Sequence, residues 1–226
     1  MHRSPFSRAW PWGLRVFARA FAVAVFQVRC GGRAFVPAAG GALILSNHQS
    51  HLDPIFVGLA CDRLLSYVAR QTLFRSPIFG RFIASLGAFP IDRDGTGLGG
   101  LKEMLKRLKQ GEVVLVFPEG TRSPDGEIQT IRPGFCAVAR RAGVPLVPVA
   151  VDGTFDAWSR RQRLPRRAVV HLQFGPPIEP AEIESMTDEQ LVAEVERRIR
   201  ACHAEARRGR NSATGRAALT GPAGRS

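Results

Sequence analysis

The sequence predicts an α/β domain, a central mixed sheet flanked by helices and preceded by an N-terminal amphipathic, membrane-associating helix. Three observations carry that prediction. Short apolar runs alternate along the chain with longer amphipathic ones, the pattern of strands and the helices that cover them. The 226 residues, 45% of them hydrophobic, are enough to bury one full core and exclude a wholly disordered chain. A dense polar segment, Asn47-His48-Gln49-Ser50-His51-Leu52-Asp53-Pro54, follows an apolar run directly, where a strand would hand over to a helix.

Taken in order, the first element lies within residues 9–28, where Trp10, Trp12, Phe17, Phe21 and Phe26 stand beside Arg15 and Arg19. Its apolar stretch is far shorter than the roughly 20 residues that cross a bilayer. The two arginines interrupt it, and no small-residue cleavage site follows, which argues against a secretory signal. Aromatic groups at the headgroup boundary, with arginines against anionic lipid, suit an interfacial helix. Residues 1–35 therefore read as an interfacial segment on the cytoplasmic face, with a soluble helix packed on the core as the competing expectation.

Residues 36–208 form the expected domain. Strands are expected at 42–46, 65–69, 88–91, 113–117, 146–151 and 168–174, and helices at 54–62, 78–86, 98–109, 135–142 and 188–207. Strands alternating with helices place a largely buried sheet between helical layers. No internal repeat is present. The glycines between Gly95 and Gly100 lack the Lys-Ser/Thr ending of a phosphate loop and read as a connector. Residues 209–226, basic and rich in Gly, Ala, Ser and Thr, read as a disordered tail.

A net charge of +13 calls for an anionic partner: an acidic membrane surface, a phosphorylated substrate or nucleic acid. No zinc-finger spacing and no aromatic stacking platform accompany the charge, so nucleic acid is not expected. Cys30, Cys61, Cys136 and Cys202 are widely spaced and read as small buried hydrophobes of a reduced compartment.

Chemistry concentrates at three strand ends. His48 and Asp53 can make a general base and the carboxylate that fixes its tautomer. A straight helix would splay residues five apart, so the pair belongs on a turn. Asp53 before Pro54 also suits a helix N-cap. A metal site using His48, His51 and Asp53 would need a further ligand, and none stands in a suitable context, so no metal is expected. Phe89-Pro90-Ile91-Asp92-Arg93 ends a strand with a guanidinium fit for phosphate or carboxylate. Phe117-Pro118-Glu119-Gly120-Thr121-Arg122-Ser123 combines an acid, a glycine for close approach, a hydroxyl and an arginine.

These segments, in this order, resemble the motifs of the 1-acylglycerol-3-phosphate acyltransferase family of glycerolipid acyltransferases. His48 through Asp53 is similar to its first motif and the segment ending at Arg93 to its second. Phe117–Ser123 is similar to its third motif, and Val144-Pro145-Leu146-Val147-Pro148-Val149 to its fourth. The resemblance covers residues 30–180. It implies transfer of a fatty acyl group from acyl-CoA or acyl carrier protein, as co-substrate rather than cofactor, to the sn-2 hydroxyl of lysophosphatidic acid. His48 is then the base and Asp53 its orienter, while Arg93, Glu119, Gly120, Thr121 and Arg122 bind the glycerol phosphate. Arg132 stands where relatives carry a basic residue before glycine and would add to phosphate binding. Acylation of another lyso-lipid is the nearest alternative. A non-enzymatic basic protein that binds membrane or nucleic acid is the alternative of another class.

Overall fold

The computed structural model describes residues 16, 18–85, 87–91 and 98–215. Its centre is one seven-stranded sheet. The strands are β1 (Arg29–Gly31), β2 (Ala42–Ser46), β3 (Leu65–Arg70), β4 (Ala88–Ile91), β5 (Val113–Val116), β6 (Leu146–Asp152) and β7 (His171–Phe174). They lie in the order β1-β7-β6-β2-β5-β3-β4. All neighbours run parallel except β6 and β7, so the sheet is mixed as expected.

β2 lies between β5 and β6, and every residue of Ala-Leu-Ile-Leu-Ser is buried. A strand covered on both faces reads as a continuous apolar run rather than an alternating one. Its side chains still alternate between layers. Ala42 and Ile44 join Val113, Leu115, Val147, Val149 and Val151 on one face, packed by Phe56 and Val57 of α1 (Asp53–Ala60). Leu43 and Leu45 join Val114, Leu146 and Ala150 on the other. That face is covered by α3 (Leu98–Lys109), α4 (Gly134–Ala142) and α7 (Asp188–Thr214), through Leu108, Ala139, Leu191, Val195 and Ile199. The helix α2 (Pro77–Ser85) leads into β4, an edge strand that tolerates Pro90 because its outer backbone has no ladder partner.

Several boundaries differ from expectation. Three residues of the segment placed outside the domain form β1, which pairs with β7 in parallel register. Two short helices, α5 (Thr154–Trp158) and α6 (Pro180–Ser185), carry too few residues for a periodic signal. α7 starts at a capping box, with Thr187 accepting from Gln190 N–H and Gln190 reaching back, and it runs to Thr214 rather than Arg207. Residues 209–214, expected in the tail, are therefore helical, and residues 216–226 lie outside the described residues.

The helical residues 18–26 pack on the core through Ala22 and Phe26, whose ring lies 5.3 Å from Phe56. Arg19 donates to the carbonyls of Leu59 (2.5 Å) and Cys61 (2.8 Å) and pairs with Asp62. These carbonyls lie at the end of α1, so Arg19 caps that helix instead of facing outward. Val16, Phe21 and Val23 are exposed on this segment. Among the described residues, no helix is long and apolar enough to cross a membrane. Arg15 and the two early tryptophans lie outside the described residues.

Candidate active site

The carboxyl ends of β2, β5 and β6, three neighbouring parallel strands, carry the polar cluster. This is where ligand sites form in open α/β sheets, because strand-to-helix loops diverge there and leave a crevice. Asn47 holds the rim together. Its amide donates to Val151 O (2.9 Å) and accepts from Val151 N–H (2.8 Å), extending the β2–β6 ladder by one rung through a side chain.

His48 follows, at the turn. Its Nδ1 lies 2.8 Å from Asp53 Oδ2, with the carboxylate fully buried and the ring 18% exposed. The same oxygen accepts the backbone N–H groups of Gln49 (2.6 Å) and Ser50 (2.7 Å). Three donors converging on Oδ2 fix the direction of the carboxylate. Nδ1 is then the protonated nitrogen, which leaves Nε2 as the open, basic one. Phe117 stacks on the imidazole at 4.0 Å and 19° between planes, fixing the ring's tilt. Asp53 is the first residue of α1, whose N-cap is Leu52 with no side-chain cap. The expectation of Asp53 as N-cap is thereby corrected: its carboxylate turns back to the preceding loop, and Pro54, with no N–H to satisfy, follows it.

The loop after β5 bonds to this turn. Ser123 N–H donates to His48 O (2.7 Å), and His48 N–H donates to Glu119 Oε1 (3.1 Å). Glu119 is 2% exposed, and burial pushes its carboxyl up to about 7. Its place is beneath the backbone of His48, a brace rather than an exposed ligand contact. Gly120 turns the chain with φ 73°, a left-handed conformation that glycine adopts without strain, and its N–H closes on Phe117 O at 3.0 Å. The side chain of Arg132 lies over Gly120, and its backbone N–H is tied to Pro118 O at 3.0 Å.

Arg122 donates to His51 Nε2. Burial, followed by the charge of Arg122, holds the His51 imidazole below its ordinary range, so it meets the guanidinium as a neutral acceptor. His51 is thus engaged with an arginine, and among the described residues no group of three His, Cys, Asp or Glu side chains could hold a metal ion. Thr121 is exposed at the same rim. The structure brings together His48, Asp53, Glu119, Gly120, Thr121, Arg122 and Arg132; Arg93 lies outside the described residues, two positions beyond the end of β4.

Sequence reasoning gave no role to the groups behind the turn. Gln49, 2% exposed, donates to Gly126 O, accepts from Thr154 Oγ1 (3.2 Å) and lies 3.3 Å from His203 Nε2. His203 Nε2 lies 3.4 Å from Asp152 Oδ1 at the end of β6. Asp152 Oδ2 is 2.7 Å from Arg210 Nε, out of line with the N–H, so that contact is an ion pair rather than a directed hydrogen bond. Burial raises the Asp152 carboxyl, but His203, Arg210 and Arg207 outweigh it and hold it below the ordinary range. The one local signal was the density of polar residues at a buried strand end, since each buried polar group demands a partner.

A family model described as Acyltransferase matches residues 27–152. A 1-acyl-sn-glycerol-3-phosphate acyltransferase of Bacillus subtilis is 30% identical over 159 residues, covering 70% of this chain and 77% of its own. The Pseudomonas aeruginosa protein of that name is 38% identical over 112 residues, 48% of this chain and 43% of its own. The chain spans only 32% of the chloroplastic relative from Arabidopsis thaliana, to which it is 36% identical over 115 residues, half of this chain. Among solved structures, the 1-acyl-sn-glycerophosphate (LPA) acyltransferase of Thermotoga maritima superposes with a TM-score of 0.72 at 25% identity, covering 94% of this chain and 84% of that one.

Proposed function

This chain belongs to the acyltransferase family, and we propose that it moves a fatty acyl group from an acyl thioester to the sn-2 hydroxyl of lysophosphatidic acid. The observation that carries this reading is the His48–Asp53 pair, 2.8 Å apart at the carboxyl end of the central strand, with Arg122 on the adjoining loop. Relatives named as 1-acyl-sn-glycerol-3-phosphate acyltransferases support the acceptor. The donor is an acyl-CoA or an acyl carrier protein.

Nε2 of His48 takes the proton of the acceptor hydroxyl as its oxygen attacks the thioester carbonyl. The tetrahedral intermediate collapses, the C–S bond breaks, and the imidazolium returns the proton to the departing thiolate. Asp53 stabilises the imidazolium between these steps without itself being protonated. Only a base and positioning are required, because the thioester is already activated. Arg122 and Arg132, with Thr121 and Arg93, bind the phosphate, and Gly120 lets backbone approach it. Glu119 acts through the His48 backbone.

The acceptor and product are lipids, so the protein works as a monotopic membrane-associated enzyme on the cytoplasmic face. The exposed Val16, Phe21 and Val23 supply apolar contact with an anionic membrane surface. The test is an assay with lysophosphatidic acid that offers acyl-CoA and acyl carrier protein in parallel. His48→Ala should lower kcat/KM by roughly a hundredfold to ten-thousandfold. A variant that transfers acyl groups at the wild-type rate removes His48 from the mechanism.

A further inference from the structure

The segment joining α5 to β7 carries the densest net positive charge in the chain. Arg160, Arg161, Arg163, Arg166 and Arg167 fall within eight residues, and no Asp or Glu occurs anywhere from Ala157 to Ile178. All five arginines are exposed. At the middle of the run Leu164 is 75% exposed, the most exposed large hydrophobic residue among those described, and Pro165 follows it.

The loop is built, not frayed, at its base. Ser159 N–H donates to Gln162 Oε1 (2.8 Å), Trp158 Nε1–H to Gln162 O (3.2 Å), and Arg166 N–H to Ala157 O (2.7 Å). Two carboxylates, Asp156 just before the loop and Asp125, already have partners. Asp156 is paired with Arg210 at 2.6 Å. Asp125, whose field reaches Arg161, accepts from Ser123 Oγ–H and Glu127 N–H. The base is also tied to the active turn. Ser50 Oγ–H donates to Trp158 O (2.7 Å), and the Trp158 ring lies 5.1 Å from that of His51.

We infer that residues 160–167 are a docking loop for an anionic phospholipid surface, in which Leu164 enters the headgroup region while the flanking arginines meet lipid phosphates. The chemistry selects this occupant. A lone apolar apex between cations suits a soft, negatively charged interface, where each basic residue adds attraction and the apolar tip adds burial. A specific protein partner would need roughly 800 Å² of matched surface from about 20–30 residues a side. An eight-residue loop with one apolar side chain offers far less. The consequence, which rests on the proposed lipid acceptor, is that binding through this loop brings the His48 turn against the leaflet that holds the substrate.

The experiment compares the full chain with Arg160→Gln/Arg163→Gln/Arg166→Gln/Arg167→Gln and with Leu164→Ala. Binding is measured by co-sedimentation with phosphatidylcholine vesicles, with or without phosphatidylglycerol, at low and raised ionic strength. The wild type should bind the anionic vesicles in a salt-sensitive way, and the fourfold variant should bind on the order of a thousandfold more weakly. Leu164→Ala should cost about tenfold and leave the salt dependence in place. Both variants should keep the wild-type Tm and wild-type acylation of a soluble short-chain lysophosphatidic acid. Undiminished binding of the fourfold variant to anionic vesicles overturns the inference. So does a variant that binds vesicles normally but loses transfer from acyl carrier protein, which would make the loop a protein-docking site. If wild type fails to acylate the soluble acceptor, the proposed reaction falls, while the vesicle result still decides the role of the loop.

Discussion

The two sides of the His48 turn are built differently. Behind it, Gln49, Ser50, Asp53, Asp152 and Thr154 are all buried, and bonds run from the turn to β6, α5 and α7. In front, Thr121 and Arg132 are exposed and Arg122 is half-buried. The contrast separates two tasks. A general base must be aimed before substrate arrives, since catalysis by orientation depends on geometry already in place. Anion-binding arginines can adjust to the ligand, because a charge-assisted fork gains its strength on contact with phosphate.

The largest effect should come from testing both sides with one pair of variants. Asp53→Asn can keep an oxygen for the Gln49 and Ser50 N–H groups and for His48 Nδ1–H but loses the negative charge that stabilises the imidazolium. Its kcat should fall on the order of a thousandfold or more while KM for the acceptor changes little. Arg122→Ala should do the reverse, raising KM for lysophosphatidic acid by roughly tenfold to a hundredfold through loss of a charged hydrogen bond, with kcat nearly kept. Steady-state kinetics of the two variants decides the matter. If both act on the same parameter, the division between aimed base and adaptable grip is wrong.

The front of the site was more legible in the sequence than the back, for physical reasons. His48, Gly120, Thr121 and Arg122 lie on short loops after strands that read as unbroken apolar runs, so local pattern located them. The partners of Gln49 are 77, 105 and 154 residues away and leave no local trace. α7 was expected to end at Arg207 because the stretch after it is basic and rich in Gly, Ala, Ser and Thr, the composition of a solvated tail. Tertiary contact overrides that tendency. Arg210 pairs with Asp152 and Asp156, and a β-carbon at Gly209 would run into the His171 ring, so glycine is what lets the helix lie against β7. β1 was missed because three residues, Arg-Cys-Gly, show no periodicity; its partner β7 supplies the order.

The rear network also predicts a stability difference. Gln49→Leu removes the partners of Gly126 O and Thr154 Oγ1 inside the protein and should destabilise it by about 1–3 kcal/mol. Thr121→Ala, at the exposed rim, should stay within about 0.5 kcal/mol of wild type. Urea denaturation measures both. Equal losses would mean that the back of the turn is no more tightly determined than the front.

Glu119 lies where the two sides meet, and pH should expose it. Its carboxyl is raised by burial from an ordinary 4.5 to about 7, against the lowering effect of the His48 and Gln129 N–H groups. Its second oxygen, Oε2, is buried with no hydrogen-bond partner. Between those two values the folded protein keeps a proton that the unfolded chain has released. The contribution is therefore complete below the lower value and is lost as pH rises through the higher one. Its slope is at most about 1.4 kcal/mol per pH unit. Glu119→Gln keeps an oxygen for His48 N–H and cannot ionise, so the variant should gain stability relative to wild type as pH rises through that window. Denaturation midpoints of both proteins measured across it provide the check. Parallel curves would show that Glu119 is as well solvated as the groups at the front of the site, and the boundary between the two sides would then have to be drawn behind it.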